Sequence, residues 1–132
     1  MAQQRRQSAP AMTPEFATIF TRLRALLARH AGALAVTEDS PERYCLTGGR
    51  HPKHQTPMPI AWVQVGKSYV SFHHMAVYAR PDLLKGVSQK LLARMQGKSC
   101  FNFTTVDETL FAELEELTVR GFAAFRNAPF MK

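Results

Sequence analysis

The chain has 132 residues, of which 45% are hydrophobic and 20% are charged, a composition typical of one globular domain that needs no disulfide or metal to bury a core. It has no apolar run long enough to span a bilayer, and no apolar stretch of a secretory signal follows Arg5 and Arg6, so we expect a cytoplasmic protein without membrane contact. The net charge of +7 suggests nucleic acid as a partner, but the basic residues form no block and do not alternate with aromatic residues, which argues against it.

The N-terminal half predicts a tail, a helix and a strand. Residues 1–12 are polar and aperiodic and predict a disordered tail, which leaves residues 13–132 as a single domain. Thr13 and Pro14 predict a helix start, and apolar residues at helical spacing follow as far as position 27. Residues 37–41 are interpreted as a loop and residues 43–47 as a short strand. The following loop, residues 48–59, is rich in glycine, proline and histidine.

A hairpin is the clearest element of the sequence. Gly66 and Lys67 fit a two-residue turn with glycine in the position that a type II′ turn demands, which would pair Val63 with Val70. Alternation then predicts a buried face and an outer face. The buried face comprises Ala61, Val63, Val65, Val70 and Phe72. The outer face comprises Trp62, Gln64, Tyr69, Ser71 and His73.

The C-terminal half predicts a helix, a strand and a second helix. Pro81 opens a helix whose buried side includes Leu91 and Met95 and which ends at Gly97. Residues 99–103 alternate as a strand, and residues 105–108 have the pattern of a capping box before the last helix. The order α-β-β-β-α-β-α predicts an α+β fold of two layers, with a mostly antiparallel four-stranded sheet and helices packed on one face.

This order resembles the YdhG-like family of small bacterial proteins, some of which are described as frataxin-like iron chaperones. The resemblance covers roughly residues 13–126 and depends on the hairpin, on the string His74-Met75-Ala76-Val77-Tyr78, and on residues 97–103 with the amphipathic helix that follows. It implies a frataxin-like fold and, as one possible activity, iron handling through carboxylates. The first helix contributes only Glu15 to such a site.

The sequence contains no complete catalytic or metal motif. His51 and His54 in the long loop, together with His73 or His74, would supply nitrogen ligands for a metal, but their spacing compels no further ligand. The acidic residues of the last helix are the alternative carboxylate site. Cys45 and Cys100 are expected to be buried free thiols.

The best candidate site combines aromatic rings with polar groups, which suits a small-molecule cleft or a dimer contact. The alternative, that the long loop or the tail covers this face, stays open. The candidate ligand-binding residues are Trp62, Tyr69, Ser71, His73, His74 and Tyr78. The sequence therefore predicts a non-enzymatic cytoplasmic domain, without assigned cofactor or metal ligands, that binds a small ligand or a protein partner, with a homodimer as one alternative. The alternative is a frataxin-like iron or metal chaperone.

Overall fold

The structure, a computed structural model, describes residues 13–32, 34–50 and 57–125, so the predicted tail and the middle of the long loop lie outside it. The helices are α1 (Pro14–Ala28), α2 (Met75–Ala79), α3 (Gln89–Leu92) and α4 (Glu108–Phe125), with a 3-10 helix at Pro81–Leu84. The strands are β1 (Ala35–Asp39), β2 (Arg43–Arg50), β3 (Pro57–Val65), β4 (Val70–His74), β5 (Met95–Gln96) and β6 (Cys100–Phe103). None of the described helices is both long and apolar enough to cross a bilayer.

The strands form one open sheet in the order β1-β2-β3-β4-β6-β5, and every neighbouring pair is antiparallel. This confirms the α+β class and corrects the predicted count of four strands to six. The two additional strands lie at the edges of the sheet. All five residues of β1 are exposed, and β5 has only two residues, so neither has the apolar alternation by which a half-buried strand is recognised.

The hairpin forms with a different register from the predicted one. Val65 pairs with Val70, and Val63 pairs with Phe72. The loop spans residues 66–69 and is closed by the Gly66 N–H, which donates to the Tyr69 carbonyl at 2.8 Å. The error in register is two residues, and because side chains alternate with a period of two, the assignment of faces survives it. The predicted buried face lies in the core, where it packs with residues of every described helix.

The helix predicted from Pro81 to Gly97 is wrong, because the segment changes conformation several times. Gly86 has a φ of +83°, a left-handed conformation that interrupts a helix and that favours glycine. The chain becomes helical again only over α3, where Leu91 is fully buried. Met95 then belongs to β5 and pairs with Phe101.

Helix α4 is joined to its neighbours by its acidic side chains. Asp107, rather than the predicted Thr105, caps the helix by accepting the Leu110 N–H at 3.1 Å. Four of the five carboxylates at the start of α4 and along it contact residues outside the helix. The pairs are Glu108 with Arg22, Glu115 with Arg29, Asp107 with Lys90, and Glu113 with the Ser88 N–H and hydroxyl.

Candidate functional site

A row of side chains crosses the sheet face that points away from the core. Cys45 lies opposite Trp62, Trp62 opposite His73, and His73 opposite Cys100. We call these four residues the outer row. Each alternates along its strand with core residues, so the geometry of the pleat places all four on one face.

The centre of the outer row is a stack of rings. The Trp62 and His73 rings are nearly parallel, with centroids 4.6 Å apart and an interplanar angle of 15°. The guanidinium of Arg43 lies 5.8 Å from the Trp62 ring centroid and is also paired with Glu38. Arg43 comes from β2 and His73 from β4, the two strands that neighbour the Trp62 strand.

Two groups of the outer row, His73 and Cys100, are neutral at physiological pH. Partial burial, and then the charge of Arg43, hold the pKa of His73 below its usual range. The Cys100 Sγ lies 3.5 Å from the His73 Nε2 and donates to the Asn102 Oδ1 at 3.3 Å. Burial raises the pKa of the Cys100 thiol, so this pair lacks the thiolate that a nucleophile or redox cysteine needs.

Both cysteines belong to the outer row, yet they are far apart. Cys45 is 2% exposed and Cys100 is partly buried, and three interstrand steps separate them. At about 4.8 Å per step this is about 14 Å, twice the largest Cα separation that a disulfide tolerates. The expectation of two free thiols is confirmed.

A groove of about 310 Å³ lies beside the outer row, at the β5 edge of the sheet. Five of its lining residues are polar, and we call it the Tyr69 groove. They are Tyr69, Arg94, Gln96, Asn102 and Thr104. Tyr69 belongs to the hairpin loop and is 37% exposed. Ser71 lies between this groove and the outer row, but it is buried and donates to the Gln64 carbonyl at 3.4 Å.

His74 lies on the opposite face of β4 and is 1% exposed. Its Nδ1 accepts the Ala76 N–H at 3.3 Å and so caps α2, while its Nε2 lies 3.2 Å from the Thr118 carbonyl. Since Nδ1 accepts, Nε2 carries the proton and donates to that carbonyl. Burial lowers the pKa of His74 to about 4, against the opposing effect of the Thr118 bond. The site therefore holds a neutral imidazole inside the core.

The close approach of α4 to His74 depends on glycine. A Cβ at Gly121 would lie 2.6 Å from the His74 Nε2, closer than two such atoms can approach. The Phe122 ring packs against the imidazole at 4.7 Å between centroids and also contacts the His30 ring at 4.4 Å. His74 is thus part of the packing between β4 and α4, separate from the outer row.

Tyr78 is remote from the outer row as well. It is 54% exposed on α2 and lines a different groove of about 390 Å³, which also includes residues of the 3-10 helix and of the turn between β5 and β6. Of the six predicted site residues, the structure therefore brings together Trp62 and His73, with Tyr69 and Ser71 beside them. It separates His74 and Tyr78 from them.

Metal ligation has little support in the described part of the chain. His51 and His54 lie outside the described residues, and among those described no three His, Cys, Asp or Glu residues are arranged to hold a metal ion. His73 and His74 point to opposite faces of β4, so they cannot serve the same ion.

Sequence reasoning missed three members of this surface: Arg43, Cys45 and Cys100. The signal was present within each strand, because Cys45 alternates with Tyr44 and Leu46, and Cys100 precedes a core phenylalanine. Their position beside Trp62 and His73 depends on the interstrand register, which no single strand encodes.

The chain matches no protein-family model, and no curated protein or solved structure matches it significantly. The YdhG-like resemblance and the frataxin-like fold therefore stay predictions.

Proposed function

We propose that this chain is a non-enzymatic binding domain that contacts a protein partner or a small ligand through the outer face of its hairpin. The observation that carries the proposal is the stack of Arg43, Trp62 and His73, which presents a rigid, mixed aromatic and polar surface on the face away from the core. Tryptophan and arginine are the residues most enriched where binding energy concentrates in interfaces.

The packing of the stack favours a protein partner over a planar ligand. His73 stacks on the Trp62 indole and the Arg43 guanidinium lies 5.8 Å from the ring centroid, so a flat ring or a nucleic-acid base competes with these two side chains for the indole faces. A protein surface can instead lie across the outward edges of the rings. The Tyr69 groove beside them has room for a protruding side chain of that partner.

Affinity capture with matched variants tests this surface. The native chain, Trp62→Ala and Tyr69→Ala are immobilised and exposed to lysate of the source cell, with Val119→Ala as the control, since Val119 is an exposed apolar residue of α4. We expect proteins that are retained by the native chain and the control but lost with both surface variants. Thermal melting confirms that each variant is folded. Retention of the same proteins by all four chains would contradict the proposal.

Intrinsic fluorescence tests the small-ligand form of the proposal. Trp62 is the single tryptophan of the chain, so a ligand on the outer row must change its emission. Titration with pools of common metabolites should give a saturable change that Tyr69→Ala or His73→Gln weakens. A ligand bound by the chain without any change in this emission would place the site elsewhere.

A metal chaperone, which the family resemblance implies, is the second candidate and has less support. The α4 carboxylates that would bind iron are engaged with other helices, as Glu108 is with Arg22 and Glu115 with Arg29. Calorimetric titration with Fe²⁺ and Zn²⁺ decides between the two functions, because saturable heat at micromolar metal would favour the chaperone.

A further inference from the structure

The groove around Tyr78 combines apolar walls with one cation. Its walls come from α2, the 3-10 helix and the turn between β5 and β6, and it encloses about 390 Å³. We call it the Tyr78 groove, and its lining residues are Tyr78, Pro81, Leu84, Met95, Gly97 and Lys98. Leu84 and Met95 pack against the core with one side and face the groove with the other.

The charge in this groove is uncompensated within the described part of the chain. Lys98 Nζ lies 5.9 Å from the Tyr78 ring centroid, and none of the ion pairs among the described residues includes it. The nearby Asp82 is held by Arg80 through two hydrogen bonds of 3.0 and 2.9 Å. No carboxylate is among the described lining residues.

We propose that the Tyr78 groove binds a small aromatic carboxylate, independently of the outer row. The aromatic ring packs between Tyr78, Leu84 and Met95, and the carboxylate pairs with the Lys98 ammonium. An aromatic ring suits this lining because phenol rings favour offset contact with another ring and the thioether of methionine makes favourable contacts with ring edges. The anion supplies the negative partner that Lys98 lacks among the described residues.

The dimensions of the groove restrict the size of the ligand. A volume of about 390 Å³ lies near the lower end of the range for small-molecule sites. This favours a compact molecule with one or two fused rings over a long acyl chain or a nucleotide. The exposed position of Lys98 means that the ion pair adds selectivity for the anion, while the apolar walls supply most of the affinity.

Titration calorimetry with 2-naphthoate on the full chain tests the proposal. We expect saturable binding of one naphthoate per chain, weakened roughly three- to fivefold in Lys98→Gln. Lys67→Gln is the matched control, because it removes an equal charge from the hairpin loop, and its affinity should stay within about twofold of the native value. The uncharged analogue 2-naphthamide should bind the native chain as weakly as naphthoate binds Lys98→Gln.

Three results would overturn the assignment. Absence of saturable binding up to millimolar naphthoate would show that the groove is not a site for this ligand class, and would leave a side chain of a protein partner as its occupant. Equal losses in Lys98→Gln and Lys67→Gln would show non-specific attraction to a positive chain. Loss of naphthoate binding in Trp62→Ala, with Lys98→Gln unaffected, would place the ligand on the outer row.

Discussion

Acidification should destabilise this protein through one buried side chain, His74. The imidazole is 1% exposed and neutral, and both of its nitrogens are committed to backbone groups, Ala76 and Thr118. Protonation would place a charge in the core and would remove the Nδ1 acceptor that caps α2. The folded protein therefore resists protonation down to a pKa of about 4, whereas the unfolded chain takes up the proton near pH 6.5.

The direction and size of the effect follow from this difference in pKa. Between about pH 4 and 6.5 the unfolded chain binds one more proton than the folded protein, so the contribution of His74 to stability is complete above pH 6.5 and is lost as the pH falls towards 4. A difference of about 2.5 pH units corresponds to about 3 kcal/mol, of which about 2 kcal/mol is lost by pH 5. That is a large part of the 5–15 kcal/mol typical of a domain.

Urea unfolding measured by far-ultraviolet circular dichroism between pH 7.5 and 5 provides the assay. The native chain should lose stability with a slope that approaches about 1.4 kcal/mol per pH unit. In His74→Asn, which can still cap α2 but cannot titrate in this range, most of that slope should disappear. His30→Gln is the control: partial burial lowers the pKa of His30 as well, but its removal should leave most of the slope. An unchanged slope in His74→Asn would refute the reasoning.

Two further substitutions test the packing of α4. Gly121→Ala should destabilise the protein by about 1–3 kcal/mol in chemical denaturation, because the new Cβ meets the His74 ring, although the same change in an open helix is stabilising by about 0.5–1 kcal/mol; a gain in stability would show that the ring moves aside. Glu113→Ala should cost about 1 kcal/mol, because Ser88 loses the carboxylate that accepts its N–H at 2.6 Å and its hydroxyl at 2.7 Å. The neighbouring Glu116→Ala should be neutral within about 0.5 kcal/mol, and equal losses in the two variants would contradict the role of the Ser88 contact.

Hydrophobic alternation was sufficient to predict the faces of the hairpin. Val63, Val70 and Phe72 are fully buried, as their period of two requires. The wrong turn does not change this assignment of faces, because the observed register differs from the predicted one by an even number of residues. The predicted two-residue turn is wrong, because Gly66 belongs to a four-residue loop in which its N–H donates to the Tyr69 carbonyl. The sequence pattern does not distinguish these two loop lengths.

The candidate site was only partly predictable, and the alternation of β4 explains why. His73 and His74 are adjacent, so they must point to opposite faces, yet the predicted ligand-binding residues include both. The outer row also needs two partners from distant strands, Cys45 and Cys100, whose position depends on register. The edge strands were missed for a related reason, since an exposed strand such as β1 has no buried side to mark in its sequence.

The irregularity in β1 has a consequence for how this protein behaves at high concentration. Its pairing with β2 shifts between Val36 and Glu38, and the strand ends in two carboxylates, Glu38 and Asp39. A strand from another molecule laid along this border would meet a kinked line of N–H and C=O groups and two ion pairs, Glu38 with Arg43 and Asp39 with Arg24. The opposite edge strand, β5, has only two residues and offers few backbone groups with which a strand of another molecule could pair. Both edge strands therefore disfavour the repeated intermolecular strand pairing that produces fibres.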